Sequence, residues 1–364
     1  LICSSLEYPA AGVKRLRDPG GAAVDEIVGE VREAEWRDYV ESATRNLTFT
    51  PEWTRFLEGT FAFRRHHLFA LDRTGAVTGF LPLFRVASRL TGDRLSAVPF
   101  SAQCGPLGGD EARTALLSAA CRLKDDIGAG TLEIRDEISA EGFRTFNWYS
   151  TYLLDLTPGP EFLRTQRFNK SIQRGIAQAE KQEVEVTRSG KPEDIATFYH
   201  MNLLHKRDLG VLCHPRRFFE NLFSLIPGCP TLYLARYRGE PLAGCIMLRF
   251  RDHLVYGYGA SSHSSRNIAA TKLILWESIR DACSFGVRSF DLGRVSYDNT
   301  GLIQFKKGWG AREEKLHYSY YPAPAGTLSH RRDTLPFRTA SAAVRIMPVP
   351  LFTRLSDHYF GIFG

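Results

Sequence analysis

From residue 31 onward, apolar and polar positions alternate in two recurring rhythms. Residues 31–43 and 51–61 carry apolar positions at helical spacing. His67–Leu71 and Val77–Val86 then read as two strands around a turn at Asp72–Gly75. A glycine-rich stretch (104–109), a helix near 111–127 and a strand at 131–135 follow. The second half repeats this order, with strands at 231–236, 242–250 and 254–258, small residues at 259–267, a helix over 268–285 and a strand at 287–292. Hairpin, small-residue loop, helix and strand thus recur roughly 160 residues later, which predicts a duplicated domain rather than a solenoid. Gly75 and Gly79 are echoed by Gly239 and Gly244.

The join falls at Thr157-Pro158-Gly159-Pro160. The pattern predicts an arm at 1–30, a first α/β domain at 31–158 and a second at 159–322, with a cleft between them. A proline-punctuated tail at 323–364 is expected to pack back on the first domain. In that tail Leu351, Leu355 and Tyr359 share one helical face, which suits packing on a domain or contact with a membrane surface. After the join, Arg167, Lys170, Arg174 and Lys181 fall on one side of a helical wheel, opposite Phe168, Ile172, Ile176 and Ala179. Such a stripe is a solvated face or an anion site for phosphates or an RNA backbone.

Composition narrows the chemistry. The 364 residues are 43% hydrophobic and 24% charged, with a formal net charge of +7. That balance suits acidic ligands such as phosphates, a nucleotide, tRNA or an anionic membrane, and is too mild for a dedicated DNA binder. The seven cysteines are scattered and never form CxxC, so no zinc site or disulfide framework is expected and a reduced cytoplasmic compartment is. Neither His205 nor His214 has metal-ligand spacing. GxSxG, HExxH, Walker A and GxGxxG patterns are absent, which removes serine hydrolases, zinc proteases, P-loop NTPases and dehydrogenases. The small-residue stretch 259–267 ahead of the helix at 268 could seat a phosphate or pyrophosphate on free N–H groups, or be an ordinary cap.

The densest chemistry lies in Gly286–Gly310, GVRSFDLGRVSYDNTGLIQFKKGWG. A strand runs to Leu292 and breaks at Gly293. A polar loop carrying Arg294, Tyr297, Asp298 and Asn299 leads to Phe305-Lys306-Lys307. With Lys206–Gly210, Arg217-Phe218-Phe219, Tyr258-Gly259, Trp276-Glu277 and, earlier, Pro51-Glu52-Trp53 and Gly79–Leu83, these blocks resemble the Fem family of peptidyltransferases. The Fem-like proteins found beside exosortase and exopolysaccharide gene clusters are more similar still.

That resemblance covers most of residues 31–321 and implies two tandem GNAT-like domains. It implies transfer of an aminoacyl group from aminoacyl-tRNA to an amine of a cell-envelope precursor or small metabolite, with no covalent enzyme intermediate. An acyl-CoA-dependent N-acyltransferase is the alternative donor chemistry, and a non-catalytic anion-binding scaffold a third reading. No permanently bound cofactor or metal is implied, and the expected location is the cytoplasm or the inner face of the membrane. By resemblance Lys306 stabilises the oxyanion, with Phe305 beside it and Asp291 as a cleft carboxylate. An amine attacking an ester or thioester needs such a donor, and losing one typically costs about 2.7–4 kcal/mol. Arg207, Tyr258, Arg294, Tyr297 and the basic trio Arg167, Lys170 and Arg174 are the expected substrate-binding residues. The chain departs from the family in having no heptad-patterned arm between 181 and 230.

Overall fold

The structure, a computed structural model, describes residues 24–88, 92–262, 268–323 and 335–363. The first half runs β1 (Glu26–Val28), α1 (Glu33–Ala43), α2 (Pro51–Phe61), β2 (Arg64–Arg65), β3 (Leu68–Leu71), β4 (Val77–Leu81), β5 (Leu83–Ser88), β6 (Gly92–Ala97), β7 (Leu107–Gly108), α3 (Asp110–Asp126), β8 (Thr131–Ile134) and β9 (Arg144–Asp155). Residues 26–28 lie in the segment expected to be an arm, yet they pair with β3 as an edge strand. The rest of the expected arm, 1–23, lies outside the described residues.

The second half runs α4 (Pro160–Phe162), a π-helical turn at 163–167, α5 (Lys170–Lys181), β10 (Glu185–Ser189), α6 (Pro192–Leu209) and α7 (Arg216–Leu225). β11 (Pro230–Tyr237), β12 (Glu240–Phe250), β13 (His253–Ser261), α8 (Ala270–Ser284), β14 (Ser289–Asp291), β15 (Val295–Ser296), α9 (Thr300–Lys307) and β16 (Arg312–Tyr321) follow. The tail forms α10 (Leu335–Ile346), α11 (Val349–Tyr359) and a short 3-10 turn.

A small sheet, β1-β3-β4-β7, belongs to the first half. A long mixed sheet runs β10-β11-β12-β13-β14-β9-β16-β8-β6-β5-β2 through both halves, with β15 added onto β9. The duplication is visible in this topology. In each half a hairpin strand leads to a parallel pair closed by a crossover helix: β6 with β8 across α3, and β13 with β14 across α8. Both hairpins turn on a glycine at φ +83°, Gly75 and Gly239, a conformation that other residues adopt only with strain. Two strands join the halves. β9 pairs with β14 and β16, and β16 also pairs with β8.

Helices α5 and α8 cover one face of the second-half sheet over a core that includes Tyr152, Phe290, Trp276 and Trp309. On the opposite face Phe198 and Phe219, from α6 and α7, join a core shared with the first half. There the Phe56 and Phe218 rings meet edge-on at 5.0 Å. The wheel reading of α5 matches the structure: Phe168, Ile172, Ile176 and Ala179 are buried while Arg167, Lys170 and Arg174 are exposed.

The tail touches both halves. Val344 and Phe352 pack against Leu203 of α6, and Phe360 stacks on Phe100 at 5.2 Å. Its buried side is Phe352 and Ser356, one position on from the expected stripe, and Leu351 stays 54% exposed. Among the described residues no helix is long and apolar enough to cross a membrane.

Candidate active site

β14 ends at Asp291, and the chain turns at Gly293, whose φ is +82°. The Asp291 Oδ1 accepts the Gly293 N–H at 2.7 Å and the Thr151 hydroxyl from β9. Lys306, in the last turn of α9, donates its ammonium to the Gly293 carbonyl. A carboxylate and a lysine thus hold the two polar groups of one glycine. The expected loop from Gly293 ends early: Asn299 accepts the Leu302 N–H at 3.2 Å and starts a short helix over 300–307. That helix turns Lys306 inward.

The rest of the Phe305–Gly310 block explains itself by packing. Phe305 is half-buried and meets the fully buried Trp309 edge-on at 6.1 Å, and Trp309 meets Phe168 at 4.8 Å. Gly308 lies against the start of α5: its carbonyl accepts the Asn169 N–H at 2.8 Å. Gly310 sits over the Arg167 carbonyl, where a Cβ would come within 2.9 Å. The basic face of α5 therefore begins where α9 ends.

Lys306 is only 4% exposed. Burial pulls its ammonium down to about 8, Asp291 opposes that shift, and Arg294 adds to it. The amine is still mostly cationic at neutral pH. Its Nζ lies 6.0 Å from the centre of the Tyr152 ring.

The structure gathers Lys306, Phe305, Asp291, Arg294 and Tyr297 around one strand end. Arg294 donates to the Tyr318 hydroxyl at 2.8 Å and its guanidinium lies 4.8 Å from the Tyr149 ring. Tyr297 follows β15 and is 38% exposed at a cavity of about 520 Å³, which it lines with Asn147, Glu313 and Lys315.

Two expected substrate residues stand elsewhere. β13 bulges at Gly257, so Tyr256 pairs with Met247 and Tyr258 with Ile246. The extra residue sends the Tyr258 ring to the sheet face opposite Tyr256, against Phe218 and His214 at 5.1 and 5.0 Å. Arg207 closes α6 on that same far face; its Nε is buried with no hydrogen-bond partner among the described residues, and Asp208 is 3.9 Å away.

Ser150, Tyr152 and Glu313 adjoin the site and were not singled out from sequence. They sit on β9 and β16, whose period-2 alternation was the available signal. Part of the expected phosphate loop, 263–267, lies outside the described residues. Among the described residues no His, Cys, Asp and Glu cluster is arranged to hold a metal.

Residues 166–307, which span this site, match the family described as acetyltransferase (GNAT) domain. The second half is thus an acyltransferase domain of GNAT fold. Solved structures extend the likeness to the whole arrangement. FemX has a TM-score of 0.64 at 17% identity, covering 80% of this chain and 96% of FemX. L-PGS from Bacillus licheniformis has a TM-score of 0.53 at 13% identity, covering 90% of this chain and 99% of that one. A tandem GNAT protein from the clavulanic acid biosynthesis pathway has a TM-score of 0.51 at 11% identity, covering 81% and 96%. No curated protein matches the chain. The chain has a tandem GNAT fold similar to that of FemX.

Proposed function

We propose that this protein forms an amide by moving an aminoacyl group from aminoacyl-tRNA to an amine, with no acyl-enzyme intermediate. The acceptor is a cell-envelope precursor or an amino-bearing metabolite. The observation that carries the reading is the buried, still cationic Lys306 at the end of β14. An ammonium has three N–H donors, of which the Gly293 carbonyl takes one. The others are free for the oxygen that becomes negative as the amine attacks the acyl carbonyl, and the low-polarity surroundings strengthen that contact. Asp291 keeps Gly293 in place and so keeps the lysine aimed. The exposed Arg167, Lys170 and Arg174 supply the basic surface an RNA backbone needs, beside the end of α9.

The match of residues 166–307 to an acetyltransferase family favours a second donor, an acyl-CoA thioester, attacked in the same way. A competition assay separates the two. Fluorescent charged tRNA bound to the protein at near-physiological salt is challenged with coenzyme A. Salt-sensitive tRNA binding that coenzyme A fails to displace supports the aminoacyl donor. No tRNA binding, with coenzyme A bound in its place, replaces it with the thioester.

A further inference from the structure

We propose that Glu313 and Lys315 bind the acceptor, as a primary amine that also carries an anionic group, and that Glu313 takes the amine's proton. This rests on the acyl-transfer reading and names the acceptor's chemical class. Across the β9–β16 ladder Glu313 lies opposite Tyr152 and Lys315 opposite Ser150, so the four side chains share one sheet face. That face opens on the cavity of about 520 Å³ lined by Glu313, Lys315, Asn147 and Tyr297. On this face the buried Ser150 and Tyr152 hydroxyls lie close to each other, with Glu313 beside Tyr152 and Tyr297 beside Ser150. Tyr152, opposite Glu313 on this ladder, is also the ring that faces Lys306.

The charges define the ligand. Glu313 has a long contact with Lys307, 3.6 Å, and stands beside the Tyr152 hydroxyl, and Lys315 has no ion pair among the described residues. Two residues apart on a strand, the carboxylate and the ammonium stand roughly 7 Å apart at their bases. They match a positive and a negative group on one molecule, as in an amino acid or short peptide. In the reaction the bound ammonium gives a proton to Glu313. The neutral amine then attacks the acyl carbon, a C–N bond forms, and the ester C–O or thioester C–S bond breaks. The leaving group departs with the electron pair and takes the second N–H proton.

Ligand-observed NMR titrations of the full chain with diglycine, ethanolamine and propionate test the assignment. Diglycine should bind, and Glu313→Gln and Lys315→Ala should each weaken it about tenfold, some 1.4 kcal/mol. Ethanolamine should respond only to Glu313→Gln, and propionate only to Lys315→Ala. Glu313→Asp should recover part of the ethanolamine binding, with melting curves verifying that each variant is folded. Diglycine that fails to bind, or binds folded variants as it binds the unaltered chain, overturns the proposal. If diglycine behaves as expected but no acyl transfer occurs, the amine site stands and the reaction assignment falls. If transfer depends on Lys306 while Glu313 and Lys315 leave binding unchanged, the reverse holds.

Discussion

The Lys306 ammonium donates to the Gly293 carbonyl at the point where β14 gives out, while the Gly293 N–H is taken by Asp291. The contact fixes a cation in a place with almost no access to water. A buried charge of this kind lowers stability and is retained at sites where it acts.

The burial has a measurable signature. Lys306 titrates at about 8 in the folded chain, against 10.5 for an ordinary lysine. Between these values the unfolded chain holds a proton that the folded chain has released, so this lysine's contribution to stability rises with pH across that window. The full rise amounts to roughly 3 kcal/mol. In Lys306→Met the rise is absent. Melting temperatures of the two proteins followed from pH 7 to 10 should therefore diverge in favour of the unaltered chain. Parallel curves would mean that the lysine is not buried as described.

The basic face of α5 makes a second prediction. Arg167 and Arg174 are exposed, and among the described residues Arg174 bonds its own helix, at the Lys170 carbonyl 3.1 Å away. Replacing both with Glu should leave the melting temperature nearly unchanged. Filter binding of tRNA should weaken, and the slope of log affinity against log salt should fall by about one for each lost phosphate contact. An unchanged salt slope would remove α5 from any RNA interface.

The bulge at Gly257 should be intolerant of a side chain. A Cβ there would come within 3.1 Å of the Ile246 carbonyl and 3.2 Å of Leu248. Gly257→Ala should cost about 1–3 kcal/mol through overpacking, read by chemical denaturation. A neutral substitution would show that β13 has room to relax.

Much of this architecture was legible in the sequence because local rhythm carried it. The strands at 231–236 and 242–250 and the α8 helix declare themselves by period, and α5 by opposed apolar and basic stripes. What escaped depends on distant partners. β9 and β16 pair across nearly half the chain, and the cuts at 158 and 322 fall just outside them, so nothing local revealed that they join the halves. Ser150, Tyr152 and Glu313 were missed for the same reason.

The residues of the Phe305–Gly310 block were recognisable from the resemblance, but their roles were not all visible. Eight residues are too few for a helical pattern to stand out, so α9, capped by Asn299, was not legible as a helix. Tyr258 was placed among the substrate residues by the resemblance alone. One extra residue at Gly257 turned it to the other face.

The central claim is that Lys306 acts on the developing oxyanion rather than only bracing Gly293. The most direct measurement compares kcat and KM of Lys306→Ala with those of the unaltered chain, using the donor that the competition assay selects and an amine acceptor. The account predicts that kcat falls about 100- to 1,000-fold while KM moves little, as expected for a contact made only in the transition state. A folded Lys306→Ala that turns over at the original rate would contradict it.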